Sequence, residues 1–151
     1  MADRLYVSNN VAEGLAKDID RVNMLGMKVG LTDRFELMSF AMALGVAKGV
    51  RTPLTARKGF IREESFRNKP FESYAYSLAI DELRKTNEEN LISNSDVVYK
   101  IIEEYAQTGF DEIRRLFGDF SKYDEETCID IMIEKMDDLF ELINPASVSN
   151  Q

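Results

Sequence analysis

The sequence predicts an all-α protein, a compact bundle of five or six helices, with room for a small β-hairpin in the basic segment 50–69. Apolar residues recur three and four apart over most of the chain, the spacing that lines one face of a helix. Glycine, proline and polar clusters interrupt that pattern at helix-length intervals. With 151 residues, 44% hydrophobic and 30% charged, the chain suits one folded domain that needs no disulfide or metal to hold it. Residues 1–145 are expected to form that domain and residues 146–151 a frayed tail.

Asn9 or Asn10 is placed to cap a first helix, in which Val11, Leu15, Ile19 and Val22 share one face and Gly14 slightly weakens the coil. Gly26 and Gly30 bracket a turn. Asp33 and Glu36, three apart, have capping-box spacing for a second helix. Phe35 to Leu44 is then apolar in nearly every direction, as at the centre of a bundle. Gly45 and Gly49, four apart, allow a neighbour to pack closely, and Gly49 suits the helix end.

From Val50 to Lys69 no period is clean. Thr52-Pro53 and Lys69-Pro70 break helices, while Thr55, Phe60 and Ile61 suit short extended pieces. A third helix is expected from Phe71 to about Lys85, its apolar side made by Tyr74, Leu78, Ile80 and Leu83, with a polar loop from Thr86 to Asn94. Ser93 or Ser95 caps a fourth, carrying Val97, Val98, Ile101, Ile102 and Tyr105 and stopped by Gly109. Phe110 to Phe117 is a short fifth helix ended by Gly118. Asp124 opens the sixth, with a stripe of Ile129, Met132, Ile133, Met136, Leu139, Phe140 and Ile143 up to Asn144-Pro145.

Composition removes much chemistry. No histidine is present, which excludes His-based triads, HExxH zinc sites and imidazole acid–base catalysis. The single cysteine, Cys128, permits no disulfide within the chain and reads as a buried structural residue. The acidic pairs Glu103-Glu104, Asp111-Glu112, Glu125-Glu126 and Asp137-Asp138 point different ways on a helix and read as solvated surface. Asp119 to Asp124 is similar to a calcium loop but lacks its sixth-position glycine. Gly45 to Thr52 has the wrong spacing for a phosphate-binding loop. No catalytic residue, metal or cofactor is expected. The N-terminus lacks an apolar run behind its charges, and the stretch from Phe35 to Val50 is too short to span a bilayer, so a cytoplasmic location is expected with no membrane partner.

The net charge of −8 is unevenly spread. Lys48 to Lys69 carries seven basic residues against Glu63 and Glu64, or +5, which leaves −13 for the rest. Arg51, Arg57, Lys58, Arg62 and Arg67 are interleaved with Phe60, Phe66 and Phe71. Arginine forks suit phosphates and aromatic faces suit bases. The segment 48–69 therefore either docks on the chain's own acidic helices or meets DNA or an acidic protein. The function this supports is a non-catalytic binding or adaptor protein whose Arg51, Arg57, Lys58, Arg62 and Arg67 contact an anionic partner. The alternative is a homodimeric protein-interaction module, pairing through 129–143, with no nucleic-acid role.

Asp33-Arg34-Phe35, then Phe40-Ala-Met-Ala-Leu-Gly45, then Arg51-Thr-Pro-Leu54, resembles the small accessory proteins encoded with bacterial DNA phosphorothioation (Dnd) systems. In that pattern a Phe-Ala-Ala-Leu-Gly helix is followed by a basic turn ending near Pro-Leu. The resemblance covers about a fifth of the chain. It implies an accessory role in DNA modification or defence and supplies no catalytic residues.

Overall fold

The computed structural model describes residues 3–22, 34–67, 69–135, 137, 138 and 141. The expected turn at Gly26 and Gly30, the capping box at Asp33, the stripe positions Met136, Leu139, Phe140 and Ile143, and the tail 146–151 lie outside them. Among the described residues the chain is dominated by six α-helices with one two-stranded antiparallel sheet.

Strand β1 (Arg4–Ser8) pairs with β2 (Arg57–Arg62). The basic segment thus supplies a strand, as expected, but its partner is the N-terminus, not another piece of the same segment. Alternation sets the faces: Leu5, Val7 and Ile61 enter the core. Leu5 faces Ile61 and Tyr6 faces Gly59, so a bulge leaves Phe60 without an opposite residue. Phe60 instead packs edge-on against Phe110, with ring centroids 6.3 Å apart.

A π-helical turn (Val11–Leu15) leads into α1 (Ala16–Val22). Val11, Leu15, Ile19 and Val22 are all buried, as their spacing requires. The asparagine cap is not made: Asn10 already has helical angles and its side chain caps nothing. Helix α2 (Arg34–Lys48) is joined to α1 by Arg34, whose guanidinium donates to both Asp20 carboxylate oxygens at 2.9 and 2.6 Å.

Helix α2 is not enclosed on all sides. Leu37, Met38, Ala41, Met42, Leu44 and Gly45 are buried, whereas Ala43 and Val46 face solvent. Its buried face crosses α5 (Ser95–Phe117) with backbones in contact. A Cβ on Gly45 would lie 1.9 Å from the Tyr105 carbonyl oxygen, and one on Gly109 would lie 1.6 Å from that of Ala41. The close approach expected of Gly45 is therefore present. Gly109, expected to stop a helix, is instead the reciprocal contact inside a continuous one, and the expected fourth and fifth helices are a single element. Gly49 (φ +74°) ends α2 and Gly118 (φ +76°) ends α5, each in a conformation that favours glycine.

Short α3 (Glu63–Phe66) precedes α4 (Pro70–Lys85), whose first turn accepts Pro70 because that turn has no bond for a proline N–H to make. The buried side of α4 is Phe71, Ala75, Ala79 and Leu83, a strict four-residue repeat. Tyr74, expected in the apolar side, is 65% exposed. A 3₁₀ turn at Glu89–Ser93 links α4 to α5. Neither Ser93 nor Ser95 caps α5. The Asn94 side chain does, accepting from the Asp96 and Val97 amides at 3.0 and 3.4 Å.

Asp124 caps α6 (Glu125–Glu134) as expected, accepting from Thr127 N–H at 2.7 Å. Cys128 is buried, and burial pushes its thiol pKa up, so it is a poor nucleophile. Ile129 and Ile133 are exposed. The segment that is similar to a calcium loop forms a 3₁₀ turn at Phe120–Lys122 with Phe120 buried. The carbonyls of Phe120 and Tyr123 accept from the Arg21 guanidinium, so a cation already occupies them. Among the described residues no helix is long and apolar enough to cross a membrane.

A basic strap over a buried acidic ridge

Helix α5 carries unusual residues for a core element: Glu103, Glu104, Gln107, Thr108 and Glu112 are all buried. Ionised carboxylates are rarely buried without partners. The basic segment, which crosses α5 as a strap, brings one cation to each of the three carboxylates, and Arg115 of α5 adds a second to Glu112 at 2.7 Å. Thr52 N–H donates to the Glu104 carbonyl at 3.1 Å. The Thr108 hydroxyl donates to the Val50 carbonyl at 2.8 Å and lies 2.7 Å from the Thr52 hydroxyl. These bonds fix the strap, and its cations then meet the ridge in order.

Lys48 Nζ lies 3.1 Å from Glu112. Arg51 grips Glu104 through Nε at 2.9 Å and a terminal nitrogen at 2.7 Å, with Glu82 at 3.7 Å. Arg57 reaches Glu103 at 3.2 Å. Lys58 pairs with Glu13, Arg67 with Glu63 at 2.9 Å and Arg62 with Glu64 at 3.7 Å. Each of the five expected site residues therefore has a carboxylate partner inside the chain. Their commitment differs. Arg51 is partly buried on a buried acid. Arg62 is paired only at the surface, where both side chains are largely exposed and such pairs add little.

The reading of Glu103-Glu104 and Asp111-Glu112 as solvated surface is overturned: Glu103, Glu104 and Glu112 lie beneath the strap. Local spacing shows which way a side chain points on its helix but not what later covers it. Glu125, Glu126, Asp137 and Asp138 are exposed, as expected.

Three ionisations respond to this burial. The Arg115 hydrogen bond holds Glu112 below the usual carboxylate range, with Lys48 assisting against burial. For Glu82, burial pushes the pKa up, but hydrogen bonds from Lys85 and Tyr105 and the charge of Arg51 outweigh it. Glu103 goes the other way. Burial pushes it up to about 7, with Glu104 adding to the shift, and the Tyr6 amide (2.7 Å) and Arg57 only partly oppose it.

Above Glu103 lies a cleft of about 520 Å³ between the strap, β1 and α5. Arg4, Arg57 and Lys100 line it, with Pro53, Leu54 and Tyr99 as its apolar walls. Asp96, Glu103 and Glu104 supply its acids. The Arg57 guanidinium sits 4.4 Å over the Tyr6 ring, and the Arg4 side chain lies across Gly59, which leaves it room. Arg4 and Lys100 were not legible in the sequence, since both lie outside the basic segment and only the β1–β2 pairing brings Arg4 to it; Glu103 was singled out, but as solvated surface. Among the described residues no group of three or more histidines, cysteines or acids is placed to hold a metal.

Residues 27–142 match the family of DNA sulphur modification system-associated protein 4. The chain belongs to this family. The Dnd resemblance carried by Asp33-Arg34-Phe35, Phe40 to Gly45 and Arg51 to Leu54 is thereby met over a much longer stretch. The strap, the acidic ridge from Glu103 to Glu112 and the Gly45–Gly109 crossing all lie within the matched region; β1 and the π-helical turn precede it. The description makes this an accessory protein associated with a DNA sulphur modification system. No curated protein and no solved structure matches the chain.

Proposed function

We propose that the chain is a non-catalytic, cytoplasmic subunit of its sulphur modification system that holds DNA by the phosphate backbone. The observation that supports this is the outer face of the β1–β2 sheet. Arg4 and Arg62 are partners in the register and so share a face, and Arg57 lies on that same face over Tyr6. Arg57 is 58% exposed and Arg62 70% exposed. Arg4, Arg57 and Arg62 gather on one face of a protein of net charge −8; each has an acid partner, in Asp3, Glu103 and Glu64, and the largely exposed guanidinium groups of Arg57 and Arg62 are the ones that would steer an anionic polymer there. Of the five expected contact residues, Arg57 and Arg62 are the principal ones; Lys58, opposite Val7 in the register, points to the other face and pairs with Glu13. Arg51 is taken by Glu104 and serves the strap. Arg67, beyond α3, is held by Glu63.

The test is fluorescence anisotropy with labelled duplex DNA across a salt series. Binding is expected to fall steeply with salt, and Arg57→Glu with Arg62→Glu to abolish it in a protein that keeps its helical circular dichroism. Salt-insensitive binding, or binding indifferent to both reversals, sinks the reading.

A second reading, a homodimer formed through α6, is favoured by the exposure of Ile129 and of Ile133, the latter at 66%. Light scattering is expected to give twice the chain mass, returning to a single chain with Ile133→Glu. A single-chain mass for the unaltered protein at high concentration removes this reading.

A further inference from the structure

Glu103 is the most deeply placed carboxylate facing the cleft, at 4% exposure, and Arg57 is its ion-pair partner. Arg57 touches it through one terminal nitrogen at 3.2 Å, and the remaining guanidinium donors are available to the cleft. Arg4 and Lys100 line the same space from β1 and α5. An anion entering there therefore competes with Glu103 for Arg57.

We propose that this cleft is a phosphate site, held by Arg4, Arg57 and Lys100, and that its occupation drives a proton onto the Glu103 carboxylate. The proposal rests on the DNA-binding reading and names where one backbone phosphate sits. The step is a proton uptake from solvent: the carboxylate Oε1 facing Arg57 gains an O–H as the guanidinium turns to the phosphate. No other bond changes.

The charged surroundings favour Glu103 as the group that yields. From β1 it faces Arg4 and the Tyr6 amide, which holds its other oxygen at 2.7 Å, and from β2 it faces Arg57. On α5 the neighbours are Asp96, Lys100 and Glu104. Glu104 is gripped by Arg51 through two hydrogen-bonding nitrogens and stays ionised when Arg57 moves. Glu103 has no comparable second cation among its hydrogen-bond partners. A buried carboxylate that loses its one cation and gains a phosphate neighbour takes a proton rather than remain a bare buried charge. With Glu103 already poised near neutrality by burial, that uptake is accessible at ordinary pH.

Phosphodiesters themselves do not titrate near neutrality, so the part of any pH-dependent DNA affinity that Glu103→Gln removes belongs to Glu103. The experiment is duplex-DNA anisotropy at fixed ionic strength near pH 6 and near pH 8. The wild-type protein is expected to bind about tenfold more tightly at the lower pH, as uptake of one proton requires. Glu103→Gln is expected to remove that dependence and to bind at the higher pH at least as well as the wild type does at the lower. Arg4→Ala and Lys100→Ala are each expected to weaken binding and to reduce the slope of log affinity against log salt by about one. Wild-type affinity that does not change with pH overturns the proposal without any substitution being made. So does full affinity in both Arg4→Ala and Lys100→Ala. If binding is instead lost only with Arg57→Glu and Arg62→Glu, the sheet face stands and the cleft does not. If the wild-type protein binds no DNA at either pH, both readings fall.

Discussion

Replacing Gly109 by alanine should destabilise the protein, although the same change stabilises most helices. Gly109 lies well inside α5, where alanine is intrinsically better by about 1 kcal/mol. Against that, the new Cβ would lie 1.6 Å from the Ala41 carbonyl oxygen and 2.3 Å from its carbon. Ordinary contact begins near 3.4 Å, so α2 and α5 would have to part by roughly 2 Å. Both clashing groups are backbone, and neither can rotate away. Gly45, one turn further along α2, rests on Tyr105 in the same manner, so parting one contact opens the other. Overpacking of this kind costs about 1–3 kcal/mol where side chains can yield, and more here. After the helix gain is subtracted, the expected loss is about 3 kcal/mol or more, or roughly 6–12 °C in Tm. Gly14 supplies the control. Its nearest contact for a Cβ is the flexible end of Arg114 at 3.9 Å, so Gly14→Ala should stabilise by about 0.5–1 kcal/mol. Urea unfolding followed by circular dichroism measures both. If Gly109→Ala is as stable as the wild type, or Gly14→Ala is the more damaging of the two, the close helix crossing is wrong.

Glu103 is held near 7 in the fold against 4.5 for a free glutamate, so the folded state binds its proton more tightly than the unfolded state. Its contribution is therefore fully favourable below about 4.5 and is lost as pH rises towards 7, by about 3 kcal/mol in total; Glu103→Gln should flatten that decline in urea melts, and an unchanged decline argues against burial of the charge. Arg51→Ala leaves the buried Glu104 without its main cation and should cost about 2–3 kcal/mol, a discount on fully buried pairs because Arg51 is one-third exposed. Adding Glu104→Gln should recover part of that loss, and purely additive losses would show that the two do not interact. Asn94→Ala removes the cap of α5 and should cost about 1 kcal/mol by thermal melting, with Asn94→Asp close to neutral; an Ala variant as stable as the wild type shows that the cap is not used.

The parts of the fold legible in the sequence are those decided by neighbours a few residues away. Val11, Leu15, Ile19 and Val22 share a buried face, Asp124 caps its helix, Gly49 ends α2, Pro53 keeps its segment out of helix, and Pro70 stands at the first position of α4. What escaped depends on distant partners. The chain Arg4-Leu-Tyr-Val-Ser8 becomes a strand because residues some 50 positions later pair with it, so its short alternation carried too little local signal. Gly109 is ambiguous on its own, since glycine suits a helix end and a close approach equally. Only Ala41 across the interface decides between them. The basic segment stood out by charge alone, but the pairing of its cations was not legible. Arg51 and Arg62 look alike in sequence, and the fold commits one to a buried acid while leaving the other at the surface.

That division bears on why the chain keeps charges in its core at all. Apolar residues at positions 103, 104 and 112 would pack α5 at lower desolvation cost, since buried ion pairs seldom repay their burial. They would also leave the strap without a charge to find. As built, each acid meets a different cation of the strap: Glu112 meets Lys48, beside Arg115 of its own helix, Glu104 meets Arg51 and Glu103 meets Arg57. The three pairs run in the same order along the strap and, reversed, along α5, so a shift of the strap by one position would misplace them all. Registration of this kind fixes where β2 begins, and hence where Arg57 and Arg62 emerge on the outer face. The hold weakens towards that face: Arg51 makes two hydrogen bonds to its acid, and Arg57 makes one. On the DNA-binding proposal, such a ladder releases its outermost cation to a phosphate while the inner two hold the strap in place.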